Sequence, residues 1–490
     1  MKIQSRIMLL VCLLAGMLMG CQKELTPRGT VVLADALKTE QDAKAWSNGL
    51  LSQFRYLNGG LYAVEGPEMQ GGLMLPSADF GNRYGEMYKH TFSSSSDIPS
   101  ECYWNLYSAI KNANFVLDNV GGVTKQADPA VISALKGNAL FIRAFCYERL
   151  IARFTKAEDP SAPGVVLLVH YDLSKQTAVR ASQKEVFDQI YSDLDEAGKF
   201  LETAKVKGRP SFNRISPDAV VALRARAALT RLDYDNALEN AEKLIANSTY
   251  GLETDAKALK EMWHNDAPSK EVIMQSFGKK GDEKLNTVGE FLGFQQRFDA
   301  YRCDWYPSQN ALDLYEDNDV RKPIYFLYEY ARFKSRIFRE VYVMNKYPGA
   351  SDLRTNNLPN GMNRPKPFRI AEQYLIASES AFKKGDEAKA KQYLNALRAA
   401  RGLGDVSSAG DALWKDIKDE RTREMAYEGF RISDLRRWGD PIPPARAQTG
   451  FEKFMVEPSM YSLPAGDNRF VWPMPSADVL LAGVAQNPGY

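Results

Sequence analysis

Two segments of the sequence repeat one pattern, and this pattern decides the fold. Residues 219–246 read AVVALRARAALTRLDYDNALENAEKLIA, and residues 371–399 read AEQYLIASESAFKKGDEAKAKQYLNALRA. A shift of 153 positions matches Ala228 with Ala381, Asp233 with Asp386, Ala237 with Ala390 and Leu244 with Leu397. Each segment predicts a helix rich in small residues, a short turn that carries Asp, and a second helix with Ala at the close-contact positions.

This arrangement is typical of tetratricopeptide repeats, in which small residues let antiparallel helices approach closely and stack. Residues 136–154 and 184–202 predict a third helix pair, interrupted by an insertion. Such pairs cannot bury their apolar faces alone, so we expect them to stack into one mainly α body. Further helices are predicted from apolar spacing at 38–57, 100–120, 129–154 and 183–203.

The stretch 270–365 has a different character. It contains several glycines, then a dense aromatic run, and then two alternating segments at 324–331 and 337–346. Alternation with a period of two is typical of strands. We therefore expect loops and a β-hairpin here, packed on the helical body.

The N-terminus predicts a lipoprotein signal. Lys2 and Arg6 form a positive region, residues 7–19 are apolar but too short to span a bilayer, and Gly20-Cys21 completes a lipobox. The alternative is an ordinary secretory signal with a chance cysteine. We predict a signal peptide at residues 1–20, an acylated Cys21, and a lipid-anchored tether at residues 21–35.

Charge and composition narrow the range of functions. The net charge of the 490 residues is +2, and it falls to zero when residues 1–20 are removed. A neutral chain has no electrostatic attraction to a polyphosphate backbone, so nucleic-acid binding is disfavoured. Three histidines and widely spaced cysteines without a CxxC pair disfavour a metal site, and no cofactor motif is present.

The segment 420–439, ERTREMAYEGFRISDLRRWG, carries the densest charge pattern. Glu420, Glu424 and Glu428 share one helix face, where they repel unless cations intervene. We expect these cations to be Arg421, Arg423, Arg431, Arg436 and Arg437. The segment therefore predicts an ion-pair network that locks two helices, and Gly429 suits a left-handed cap between them. The alternative is a catalytic carboxylate, Glu424 or Glu428 acting with Asp434.

Two loops combine aromatic and polar residues. One is 77–88, SADFGNRYGEMY, and the other is 291–306, FLGFQQRFDAYRCDWY. Aromatic faces stack on the C–H faces of sugars while polar groups bond the hydroxyls, and the same combination also holds an extended peptide. The candidate ligand-binding residues are Asp79, Asn82, Tyr84, Phe298, Tyr301 and Trp305. The alternative is that these rings pack the loops onto the body.

The ordered motifs of the chain resemble those of the SusD/RagB family, the nutrient-binding lipoproteins of Bacteroidetes. Segment 420–439 resembles the family's hallmark. The other landmarks are the lipobox, Trp104-x-x-Tyr107-x-x-Ile110, YPSQNALDLYEDNDVR at 306–321, Arg369-x-Ala-Glu-x-Tyr-Leu, and the ending 470–490 with FVWPMP and QNPGY. The 306–328 stretch is more similar to the RagB branch than to starch-binding SusD.

This resemblance implies a SusD-like fold with an N-terminal helical part at 36–270 and a C-terminal RagB/SusD part at 271–490, packed as one body. It implies a non-enzymatic lipoprotein at the outer-membrane surface. Such a protein binds an oligomeric nutrient and passes it to a SusC/RagA-like TonB-dependent transporter. The ligand class stays open between a glycan, the family's usual ligand, and a peptide. A surface glycosidase with paired carboxylates and a repeat scaffold without ligand are the rival interpretations.

Overall fold

The computed structural model describes residues 35–490 except 124–126, 157–158, 173–177, 209–212, 282–284, 286–287, 289–290, 335 and 457–460. Cys21, the signal peptide and nearly all of the predicted tether lie outside the described residues. The predictions for that segment therefore stay predictions.

Helices dominate the described part of the chain, as the sequence predicts. They are α1 Glu40–Tyr56, α2 Gly66–Gln70, α3 Gly85–Lys89, α4 Asp97–Asn119, α5 Pro129–Phe154, α6 Gln183–Thr203, α7 Pro217–Thr230, α8 Tyr234–Ile245, α9 Ala256–His264, α10 Gln309–Leu312, α11 Lys322–Tyr325, α12 Ile370–Lys383, α13 Glu387–Ala400, α14 Gly410–Met425, α15 Arg431–Trp438 and α16 Ser476–Ala482. The mainly α fold class is confirmed.

The strands are short apart from one hairpin. They are β1 Met74–Pro76, β2 Pro163–Val166, β3 Arg180–Ser182, β4 Val272–Met274, β5 Phe294–Gln295, β6 Ala300–Tyr301, β7 Trp305–Pro307, β8 Phe326–Phe333, β9 Ile337–Met344 and β10 Phe368–Arg369. Three two-stranded ladders form, β1 with β7, β2 with β3 and β4 with β10, and one four-stranded sheet has the order β5-β6-β8-β9. The predicted hairpin is confirmed as β8–β9.

The two sequence repeats are two equivalent helix pairs, α7–α8 and α12–α13. Asp233 caps α8 and Asp386 caps α13, each by accepting a hydrogen bond from the backbone N–H three residues on. The residues just before these caps, Leu232 and Gly385, both have positive φ. The matched small residues Ala228, Ala237, Ala381 and Ala390 are fully buried. The pairs pack on each other through α8 and α12, and α5 packs on α6 as the predicted third pair.

Helix α5 is the central core element. Among the residues that the structure describes, it is the one helix long and apolar enough, by length and composition only, to cross a membrane. Within its most apolar window 72% is buried inside the fold. A core helix of a globular body passes the same test, and this burial favours that interpretation.

The charge-rich segment 420–439 lies in the core. Glu424 is fully buried and contacts three guanidinium groups, Arg321 at 3.0 Å, Arg369 at 2.8 Å and Arg401 at 2.9 Å. Burial alone would raise the pKa of Glu424, but Arg401 and Arg369 outweigh burial and hold this pKa well below its usual range. The predicted ion-pair network is therefore present, and Glu424 is locked inside it.

The cations of this ion-pair network differ in part from those predicted from the sequence. Arg423 does bond Glu420 at 2.8 Å, and Arg421 bonds Asp434 at 2.8 Å. Arg431, however, donates to the hydroxyl of Thr422, and Arg436 donates to the carbonyl of Ala152. The cations around Glu424 come from other segments, because a helix face can meet partners from anywhere in a packed core. Gly429 has φ of +83° and lies so close to the Ala63 carbonyl that a Cβ would come within 2.4 Å of that oxygen.

Candidate functional site

The two predicted ligand loops lie side by side. Strand β1 pairs antiparallel with β7, with Leu75 opposite Tyr306, and the backbone N–H of Ser77 donates to the carbonyl of Asp304 at 2.9 Å. Loop 77–88 therefore leaves the β1–β7 ladder beside the end of loop 291–306. The structure thus brings the two candidate segments together.

The three candidates in loop 77–88 are reachable from solvent. Asn82 is exposed, and Asp79 and Tyr84 are half-buried. Asp79 Oδ2 accepts the backbone N–H of Lys334 at 2.5 Å, which ties this loop to the β8–β9 turn. The guanidinium of Arg83 lies 4.8 Å from the centre of the Tyr84 ring and donates to its hydroxyl.

Trp305 and Tyr301 correct the sequence prediction. Their exposed fractions are 0% and 3%, so neither ring faces outward. The Trp305 ring meets Phe80 and Tyr88 edge to face, with centroids 6.0 and 5.8 Å away. A glycine-rich approach does not decide which side of a short strand faces solvent. Here the pairing of β7 with β1 determines which side of β7 faces solvent, and the Trp305 side chain points into the core.

Phe298 remains exposed, at 38% of its surface. It lies on the turn Gln296–Phe298 between β5 and β6. The guanidinium of Arg332 stacks 3.9 Å from its ring centre and also donates to Gln295 Oε1 at 2.7 Å. These contacts join Phe298 to strand β8 of the four-stranded sheet.

Strands β8 and β9 carry a row of aromatic residues on one face. The register places Tyr328 opposite Tyr342, Tyr330 opposite Glu340, and Arg332 opposite Phe338. Opposed and alternate residues of antiparallel strands point to the same side of a sheet. Tyr328, Tyr330 and Phe338 are 52%, 50% and 39% exposed. We call this surface the aromatic sheet face: Phe298, Tyr328, Tyr330, Phe338 and Tyr342, with Arg332 and Glu340 among them.

The opposite side of the hairpin anchors this face. Phe333 is buried and stacks on Phe454 with ring centroids 4.8 Å apart, and Val341 is fully buried. Gln448 holds the edge strand β9, because its side chain accepts the N–H of Tyr342 and donates to the carbonyl of the same residue. One side of the sheet is therefore fixed to the body while the aromatic side is open. Such a face is a preorganised platform.

Sequence reasoning predicted the hairpin but did not identify its exposed face as a candidate site. The signal was present in the two-residue spacing of Tyr328 and Tyr330 and the four-residue spacing of Phe338 and Tyr342, both multiples of the strand period. Once a hairpin closes near residue 335, these positions share one face. The glycines before loop 291–306 favoured Trp305 as a ligand residue instead.

Cys303 lies between β6 and β7, next to the candidate site in sequence. Burial raises the pKa of the nearby Cys303 thiol to about 12, so this thiol stays protonated at neutral pH. No cluster of three or more His, Cys, Asp or Glu side chains that could hold a metal ion occurs among the described residues. Exposed rings with scattered polar groups recognise ligands that have both apolar and hydroxyl surfaces.

Comparison with known families agrees with this architecture. A family model described as the SusD family matches residues 247–490, and a second, described as "Starch-binding associating with outer membrane", matches residues 79–229. The chain belongs to the SusD family. The matches do not distinguish the RagB branch, so that finer assignment stays a prediction.

Individual relatives are distant in sequence and similar in fold. A SusD-like protein of Formosa agariphila is 24% identical over 379 residues, which cover 68% of this chain and 70% of that protein. A putative sugar-binding protein from Bacteroides vulgatus superposes with a TM-score of 0.74 at 22% identity, covering 93% of this chain and 99% of its own. A laminarin-binding SusD-like protein gives a TM-score of 0.71 at 21% identity, covering 92% and 100%.

Proposed function

We propose that this protein binds an oligosaccharide on the aromatic sheet face at the bacterial surface and delivers it to a TonB-dependent outer-membrane transporter. The observation that carries the proposal is the open row of rings on a sheet whose other side is buried. A pyranose presents C–H groups that stack on such rings, while Arg332, Glu340 and loop 77–88 supply groups for its hydroxyls. The sugar-binding and laminarin-binding names of structural neighbours support a glycan.

The ligand class is tested by isothermal titration calorimetry against a panel of oligosaccharides and a panel of peptides. We expect saccharide binding, and we expect Tyr330→Ala to weaken it tenfold or more, about 1.4 kcal/mol, because a stacked ring carries a large share of a site's energy. Phe298→Ala should act in the same direction. Tyr56→Ala is the matched control, since Tyr56 is an exposed tyrosine on α1, far from the hairpin in sequence.

Two calorimetric outcomes contradict the proposal. Binding of peptides without any saccharide would favour the RagB-like alternative. Saccharide binding that is unchanged in both Tyr330→Ala and Phe298→Ala would place the site elsewhere. An assay for released reducing sugar tests the rival glycosidase interpretation, and we expect no release.

The location is proposed to be the outer membrane, with the chain anchored through acylated Cys21. The family description "associating with outer membrane" supports this location, and the lipobox supports the anchor. We expect Cys21→Ala to be lost from the membrane fraction, whereas Cys12→Ala, a matched change inside the signal segment, should stay membrane-bound. Membrane retention of Cys21→Ala at the level of the parent would contradict the anchor.

Delivery to a SusC/RagA-like transporter is the furthest step of the proposal. Surface lipoproteins of this family are expected to cover the mouth of such a barrel. Affinity purification of the tagged protein from detergent-solubilised outer membranes, followed by mass spectrometry, should recover a TonB-dependent barrel. Recovery of the protein alone, with the anchor intact, would contradict the partnership.

A further inference from the structure

A second concave surface lies on elements that the aromatic sheet face does not use. It has a volume of about 390 Å³, within the range usual for small-ligand sites. Helix α4, the segment after β2, and helix α16 form its walls. We call it the Trp104 cleft; the lining residues that matter here are Trp104, Tyr107, Ser108, Lys111, Leu168 and Asp478.

Trp104 is held in place while its ring stays open. The indole Nε1–H donates to Asp478 Oδ2 at 2.8 Å, and 42% of the residue is exposed. A tryptophan on a helix surface that has a fixed ring orientation loses little conformational entropy when it stacks on a ligand. Its neighbour Tyr107 is also fixed, because its hydroxyl donates to the carbonyl of Val166 at 2.7 Å.

The floor of the cleft is apolar, and its backbone is held by hydrogen bonds. Leu168 lies there with Val166, and its backbone is held on both sides by the hydroxyl of Tyr147, which donates to the Leu168 carbonyl and accepts its N–H. Asn114 adds a hydrogen bond to the same carbonyl at 2.9 Å. The backbone at Leu168 is therefore fixed by side-chain hydrogen bonds on the floor of the cleft.

Polar groups surround this floor. Lys111 is exposed, and no carboxylate lies within ion-pair distance of it in the part of the chain that the structure describes. Ser108 Oγ already accepts a hydrogen bond from Gln53, at 3.3 Å, and can still donate. Asp478 uses one oxygen for Trp104, which leaves the other as an acceptor. An open ring above an apolar floor with donors and acceptors at its edge matches the amphipathic surface of a sugar ring.

We propose that the Trp104 cleft is a second saccharide-binding site that takes one or two pyranose units. The inference rests on the proposed glycan-binding function. Lys111 and Ser108 donate to hydroxyl oxygens, and the free oxygen of Asp478 accepts from a hydroxyl. The lining shares no residue with the aromatic sheet face, so the two sites can be occupied at the same time.

Stoichiometry tests the proposal directly. Calorimetric titration with a short oligosaccharide, too small to span both sites, should give two bound molecules per parent chain. Trp104→Ala and Tyr330→Ala should each weaken one of the two binding events by about tenfold or more and leave the other unchanged, and the double variant should weaken both. Trp104→Phe keeps a ring and should retain the second molecule.

The fold of each variant is checked by circular dichroism and thermal melting, and Leu481→Ser is the matched surface control. Leu481 is highly exposed on α16 and does not line the cleft, so this change should leave the stoichiometry at two. If the parent binds only one molecule and Trp104→Ala still binds it, the cleft is not a saccharide site and the aromatic sheet face remains the proposed site. If binding is lost in Trp104→Ala but unchanged in Tyr330→Ala, the aromatic sheet face is not a saccharide site and the cleft is the site that binds.

Two further results would overturn the inference. No saccharide binding by the parent would overturn both sites. Two bound molecules in Trp104→Ala, combined with lost transporter recovery in both Trp104→Ala and Leu481→Ser, would make this surface a protein-docking face instead.

Discussion

The segment 420–439 and the aromatic sheet face use regular spacing for opposite purposes. On α14 and just beyond it, glutamates four residues apart point into the core, where each is met by a cation from another part of the chain. On β8 and β9, Tyr328, Tyr330 and Phe338 lie on the side away from the core and keep 39–52% of their surface exposed. The segment 420–439, which resembles the family's hallmark, thus stabilises the fold. The alternating strands β8 and β9 form the candidate site.

The physical costs of the two regions explain this division. A buried charge is tolerated only with partners, so removing one member of the network leaves another unpaired. An exposed ring contributes little to folding, and its surface stays available to a ligand. Changes in the first region should therefore act on stability, and changes in the second on binding.

The largest effect should come from Glu424→Ala. It leaves Arg321, Arg369 and Arg401 without their shared carboxylate in a site closed to water. We expect the free energy of unfolding to fall by about 3–5 kcal/mol in urea titrations, with ligand affinity retained in the folded fraction. Glu239→Ala, which removes an exposed i,i+4 pair with Lys243, is the control and should cost less than about 1 kcal/mol. Lost affinity at unchanged stability would move the site into this network.

Trp305→Ala tests whether a buried ring beside the candidate site acts on stability rather than on binding. Its ring is fully buried beneath Phe80 and Tyr88, so truncation leaves a cavity. We expect a loss of about 3–5 kcal/mol in unfolding free energy. Phe298→Ala, an aromatic truncation in the same stretch of sequence, should barely change stability. If Trp305→Ala instead spared the melting temperature and abolished binding, the loop would open in solution and expose the ring.

Glu68 shows what a buried carboxylate does without an ion pair among the described residues. Burial raises its pKa from 4.5 to about 7, although the N–H of Gly429 donates to it at 2.8 Å. The folded state then binds the proton more tightly than the unfolded state, so this group's contribution to stability is complete below pH 4.5 and is lost as pH rises through 7. Relative to Glu68→Gln, we expect the parent to lose about 3 kcal/mol between pH 4 and pH 8.

The difference between the two unfolding curves isolates Glu68 from the other titrating groups. Parallel curves for the parent and Glu68→Gln across this range would show that the carboxyl has an ordinary pKa in the folded protein.

The smallest effect should come from Asp79→Ala, because Asp79 is half-buried between loop and sheet. The change removes the hydrogen bond from Lys334, and we expect a loss of about 1 kcal/mol in stability. Binding should weaken several-fold by calorimetry, since the β8–β9 turn loses an anchor. Asp79→Asn keeps an acceptor and should restore most of both. A full binding defect in Asp79→Asn would mean that the charge itself meets the ligand.

Local sequence patterns were sufficient to predict the helices. The interval 183–203, predicted from apolar spacing, coincides with the observed helix α6. In the structure Ser182 and Glu185 form a capping box that fixes its start. The hairpin followed from alternation in the same way. These features depend on neighbours within a few residues.

Contacts between residues far apart in the sequence could not be predicted. Arg321 and Glu424 are 103 positions apart, and no local pattern connects them. Trp305 is buried because β7 meets β1, more than two hundred residues earlier. Sequence periodicity shows that a face exists, whereas the partner of that face depends on how the whole chain closes.

The last residues of the described chain also determine when folding can finish. Trp472 donates to Gln70 at 2.7 Å, Asn487 donates to the carbonyl of Phe154 at 2.8 Å, and the ring of Tyr490 stacks beside Phe92. These contacts close the N-terminal helices with the final twenty residues. A chain that is synthesised from its N-terminus must therefore keep its early helices incompletely buried until nearly all of it is available. We expect such an intermediate to need a chaperone, and the closing of the C-terminal segment to be a late kinetic step.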